Sequence, residues 1–196
     1  MKRVGLLLFP MLAIALLMGI ASGTAVAQAV TTTGDNSTYF VAYYANNVAA
    51  APDATVRFIN DGDTGGNLWA DFYVFDDSQE LTECCACQIT PDGLLSEDVK
   101  TELTANPLTG KVPSRGVIKV ISSSTSDPTN VVPTPGLRGW ATFIQAPTKT
   151  TYAITETTFA DSNLVTSERN LLQNLCYYSA LLSGLPCTCT PEDHDF

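Results

Sequence analysis

The chain has 196 residues, of which 45% are apolar and 15% charged, the composition of a folded domain and not of a disordered tail. Ten basic residues against twenty acidic ones leave a net charge of -10, so phosphate backbones and anionic membranes are repelled and nucleic acid is excluded as a partner. A single histidine, His194, excludes the H-E-x-x-H metalloprotease helix and the three-histidine zinc site.

In chain order, Lys2 and Arg3, the apolar run 4–20 and Ala25-Val26-Ala27 have the form of a signal peptide over 1–27, cleaved after Ala27. That run is marginal in length for a membrane span, so none is expected once it is removed. Residues 28–38, rich in Thr, Gly, Asp, Asn and Ser, read as a flexible leader, and 39–196 as a single β-rich domain. Strands are predicted over 39–44, 54–60, 68–75, 116–121, 137–145 and 152–159, where aromatic and β-branched residues concentrate between turn-makers such as Asp61-Gly62, Gly65-Gly66 and Pro91-Asp92-Gly93. The segment 68–75 is apolar on both alternating faces and suits a central position. Segment 39–44, short and directly after the leader, is the candidate edge strand for accepting a neighbour's strand.

Two segments have helical character. Ser96 caps a short helix over 97–105, with the strand reading open there. The stronger helix covers about 167–182, its buried face formed by Leu171, Leu172, Leu175, Tyr178, Ser179 and Leu182, with Thr166 at its start and Gly184 at its end. β-rich sequence followed by one helix predicts a mainly β fold, an antiparallel β-sandwich carrying one C-terminal α-helix.

Six cysteines form two clusters, Cys84, Cys85, Cys87 and Cys176, Cys187, Cys189. Neighbours such as Cys84 and Cys85 bridge only with strain, so three disulfides are expected to join one cluster to the other and to staple the helix and tail to the loop after strand 68–75, the pairing staying open. The competing reading is a thiolate site for zinc or copper(I), but structural zinc sites favour C-x2-C spacing and an exported chain would have to keep its thiols reduced.

The run Glu83-Cys84-Cys85-Ala86-Cys87 with Thr90-Pro91-Asp92-Gly93-Leu94-Leu95, Asn106-Pro107-Leu108-Thr109-Gly110, Gly116-Val117-Ile118-Lys119 and Leu137-Arg138-Gly139-Trp140 resembles an uncharacterised group of predicted secreted bacterial proteins. The resemblance implies export and transfers no activity. It also implies that Trp69 and Ser126, where relatives carry cysteines, are spatial neighbours.

No nucleophile elbow, phosphate loop or dinucleotide fingerprint is present, and no residue is assigned a catalytic or cofactor-binding role. Asp61 to Asn67 has oxygen ligands and glycines suited to calcium, yet an EF-hand register from Asp61 ends on Phe72; a plain turn is the simpler reading, and whether 61–67 binds calcium stays open. Asp76, Asp77, Glu80 and Glu83 read as a solvated strand end. Trp69, Trp140, Tyr43, Tyr44 and Tyr73 are core residues first and a sugar-stacking platform second. The expected function is a secreted, non-catalytic structural or interaction domain at the cell exterior, its partners other extracellular proteins or itself. The alternative is a module for carbohydrate or another ligand; a metal-handling protein or a glycoside-active enzyme ranks below both.

Overall fold

The computed structural model describes residues 36–45, 51–104, 106–145, 151–183 and Cys189. The signal-peptide expectation over 1–27, most of the leader, Gly184, Cys187 and His194 lie outside them.

Among the described residues, nine strands and one helix follow in the order β1 (Tyr39–Ala45), β2 (Thr55–Asn60), β3 (Leu68–Asp76), β4 (Leu81–Ile89), β5 (Leu94–Asp98), β6 (Arg115–Ser123), β7 (Leu137–Gln145), β8 (Ala153–Thr158), β9 (Ala160–Asp161) and α1 (Thr166–Ser183). They form two antiparallel sheets, β4-β3-β6-β1-β9 and β5-β2-β7-β8, packed face to face. Between them lie Phe40, Phe58, Phe72, Val74, Ile118, Val120, Leu137 and Phe159, all buried. Phe58 sits at the centre, touching Phe40 and Phe72 edge-on with centroids 6.0 and 5.7 Å away. Its ring leaves no room for a side chain on β7: a Cβ at position 139 would lie 2.3 Å from it, which is why the strand carries Gly139 there.

The sandwich with its C-terminal helix is as expected, and the six predicted strands coincide with β1, β2, β3, β6, β7 and β8 to within two residues at each end. Strand β3 lies inside its sheet, between β4 and β6. Both of its faces are covered: Leu68, Ala70, Phe72 and Val74 meet the second sheet, while Tyr73 turns the other way to pack with Leu172 and Cys176 of α1 and Val131 of the 124–135 segment.

Three expectations are corrected. The cysteine run is no loop but strand β4, paired with β3 from Leu68↔Ile89 to Phe75↔Leu81. Ser96 starts no helix; β5 runs through it and pairs with β2, because Leu95 and Glu97 alternate inward with Leu94 and Ser96 outward. The buried stripe of α1 is Leu172, Cys176 and Ser179, rotated from the predicted face, so Leu171, Tyr178 and Leu182 are exposed. The rotation follows from Cys176, which is bonded to the sheet and has to face it.

Candidate interaction surface

The two lateral sides of the sandwich are built differently. On one side stand the outer strands β4 and β5. Successive residues of a strand point to opposite faces, so C-C-x-C within β4 sends Cys84 one way and Cys85 with Cys87 the other. Cys84 bonds Cys176 on α1 over the outer face, with Cα atoms 5.7 Å apart. Cys85 and Cys87 belong to the core between the sheets; Cys87 bonds Cys189, Cα atoms 5.3 Å apart, and Cys85 is also in a disulfide, its partner outside the described residues. Cys189 Sγ lies 3.4 Å from the Ala86 carbonyl oxygen, which places this point of the C-terminal segment against β4. Both described bonds join one cluster to the other. Among the described residues, the group of three metal-ligand types close enough to share an ion is Cys85, Cys87 and Cys189, but sulfurs held in disulfides offer no thiolate.

The start of α1 is tied to the same outer face by charge. Glu168 Oε1 accepts hydrogen bonds from Lys119 Nζ and, at 3.0 Å, from Tyr39 Oη. Partial burial pushes the Glu168 carboxyl up, but these two donors outweigh it and hold it below the usual carboxylate range. Lys119 also lies over the Phe75 ring, 5.2 Å from its centroid. Farther along β3, Asp71 is fully buried between Ala86 of β4 and Ile121 of β6. Neither of its oxygens hydrogen-bonds within the described residues. Burial pushes this carboxyl up to about 8; the nearby Ser123 hydroxyl lowers it somewhat and the Asp127 carboxylate raises it.

The remaining sequence candidates disperse. In the 61–67 turn, Asn60 Oδ1 accepts from the Gly62 N–H, Asp61 Oδ1 accepts from the Asp63 N–H, and Asp61 Oδ2 pairs with Arg138 at 3.2 Å. Those oxygens hold a turn together, as the simpler reading expects. Of the acidic run, Asp76 accepts from Ser78 and Glu80, and Asp77 pairs with Arg115 at 2.7 Å. Glu83 departs from the expected solvated strand end: it is buried in β4 opposite Val74. The aromatic set forms no platform, since Tyr44 and Tyr73 are buried and Trp69 and Trp140 belong to different sheets. Trp69 pairs with Ser123, three residues before Ser126.

The opposite side of the sandwich is less covered among the described residues. The chain leaves β8 at Thr158, buries Phe159 in the core, and crosses to the other sheet as β9. There it pairs only with Phe40 and Val41 of β1. The candidate edge strand is paired with β6 along its whole length, and on its other side it has, among the described residues, a neighbour over its first half alone. The Thr38 carbonyl accepts from β6 and the Tyr39 carbonyl from Ser162, so alternate residues address opposite sides. By that alternation Tyr43 and Ala45 aim their N–H and C=O groups at the open side. All six residues of β8 are exposed, and none is Pro, Lys or Arg, the residues that commonly blunt an edge. Between β1 and β8 runs a groove of about 360 Å³ lined by Val41, Ala42, Tyr43, Val117, Phe143 and Thr157. The Tyr43 ring, half exposed, stacks on Phe143 of the other sheet with centroids 4.2 Å apart. This open half-edge was only half legible in the sequence, because the two-residue β9 has no composition of its own.

Compared against family models, curated proteins and solved structures, the chain matches none of them.

Proposed function

We propose that the protein is an exported, non-catalytic domain that assembles with other macromolecules by accepting a strand at the open edge of β1. The observation that carries this reading is the combination of outward-aimed main-chain groups at Tyr43 and Ala45 with an apolar groove beside them. Main-chain hydrogen bonds supply affinity in such strand addition, and side-chain pockets supply selectivity. Export is supported by the charged start, apolar run and A-V-A site over 1–27, and by disulfides, which persist in oxidising compartments. No helix among the described residues is long and apolar enough to cross a membrane.

The test is light scattering and electron microscopy of the exported protein purified without reductant. Concentration-dependent assembly that Tyr43→Pro weakens by at least tenfold is expected, since proline removes the outward N–H at that position and none of the bonds to β6. Assembly unaffected by that change would refute the reading. Intact mass checks processing: the chain should begin at Gln28, and a mass for all 196 residues would refute the cleavage.

A further inference from the structure

The groove has the outline of one missing strand. β9 starts beside Val41 and runs away from Ala42–Ala45, so among the described residues that stretch has no neighbour on this side and the flank of β8 is exposed. From this geometry, and resting on the reading above and on removal of residues 1–27, we infer that the occupant is residues 28–35 of a second copy of this chain.

Three observations favour that segment. Its chemistry fits: Ala29-Val30-Thr31-Thr32-Thr33 is small and β-branched, free of proline, and uncharged until Asp35, which suits a groove lined by Val41, Ala42, Val117, Phe143 and Thr157. Its length fits as well, since eight residues exceed the open stretch of β1.

The third observation decides between the chain's own leader and a neighbour's. Thr38 already accepts a hydrogen bond from Ser122, so the chain enters β1 along the strand axis, from the end farthest from the groove. A two-residue reversal at 34–35 would set Thr33 opposite Asn36 and, residue by residue, Gln28 opposite Val41. The flank of Val41 is taken by Ala160. The chain's own leader thus ends where the open stretch begins, whereas a leader from another molecule is under no such limit. Because donor and acceptor are different surfaces, the contact is heterologous and repeats head to tail, giving filaments or, where the rotation closes, rings.

The experiment keeps the mature chain whole and compares it with Val30→Pro/Thr32→Pro, which blocks strand pairing by the leader and changes none of the described residues; an unchanged far-UV circular dichroism melt checks the fold. Mass by light scattering is read across concentration, with the synthetic peptide of residues 28–35 added as competitor. Assembly of the mature chain, at least tenfold weaker assembly of the double variant, and capping by the peptide are expected. Equal assembly of both proteins, with Tyr43→Pro still disruptive, would overturn the leader as occupant while leaving strand addition at β1 intact. Monomers in every case up to about millimolar concentration would overturn both.

Discussion

The side of the sandwich at β4 and the side at β1 are built in contrasting ways. An outer strand exposes a row of main-chain donors and acceptors and has to be covered or left available. At β4, cysteines on both strand faces bond the edge to α1 and to Cys189. At β1, the cover stops after Val41, and β8 beyond it is exposed along its whole length. One side is cross-linked to the rest of the chain by disulfides; the other, in the reading proposed above, offers main-chain groups that a strand from outside can pair. If the proposed reading holds, stability and association belong to different sides and each can be perturbed alone.

The largest separation between the two sides comes from the staple. Replacing Cys84 and Cys176 by Ala removes a cross-link that spans 92 residues and is expected to cost about 3–5 kcal/mol, with loss of the α1 signal in circular dichroism before global unfolding. A helix that stays docked with unchanged melting would mean that the packing of Leu172 and the Glu168 contacts to Lys119 and Tyr39 hold it without the disulfide.

Asp71 should give the next largest effect, on the stapled side and with a distinctive pH dependence. Its folded-state value, about 8, lies above the unfolded one of about 3.9, so its stability contribution is present in full below about pH 4 and is lost as pH rises through about 8. Asp71→Asn should therefore stabilise the protein at pH 9 by on the order of 3 kcal/mol and change little at pH 4, in chemical denaturation at the two pH values. Equal effects at both would show that the carboxyl is not held protonated. Glu168 has the opposite sign, being depressed by Lys119 and Tyr39, so its contribution is present above about pH 4.3 and is lost as pH falls below that. Lys119→Ala, which breaks that partly buried pair, should cost about 1 kcal/mol and loosen the first turn of α1.

How much of this contrast was legible in the sequence depends on local signal. The strands rich in aromatic and β-branched residues were readable, because each carries its own pattern over six or more residues. β4 was not: Glu83-Cys84-Cys85-Ala86-Cys87 has little β propensity, and its strand character comes from pairing with β3 and from the disulfides. Yet the spacing held the answer, since in a strand C-C-x-C has to divide its sulfurs between two faces. On α1 the leucine pattern does not mark the buried face; Leu171, Tyr178, Leu181 and Leu182 stand half or more exposed. Asp71 carries no burial signal of its own in the sequence; it is buried in β3 with Ser123 and Asp127, about fifty residues away in sequence, nearby.

The smallest stability effect belongs to the open side. Tyr43→Ala removes a half-exposed ring stacked on Phe143 and should cost no more than about 1 kcal/mol, while lowering association far more than its stability loss accounts for. A stability loss comparable to that of the staple would mean that Tyr43 closes the core and that the groove is structural.

The most direct test of an edge held open for a partner strand is residue-resolved amide hydrogen exchange on β1, in the monomer and in the assembly. Ala42 and Tyr44, whose amides address β6, should exchange slowly in both. Tyr43 and Ala45 should exchange fast in the monomer and become protected by at least tenfold on assembly. Protection of Tyr43 and Ala45 already in the monomer, or no change at these two amides when the protein assembles, would contradict the account.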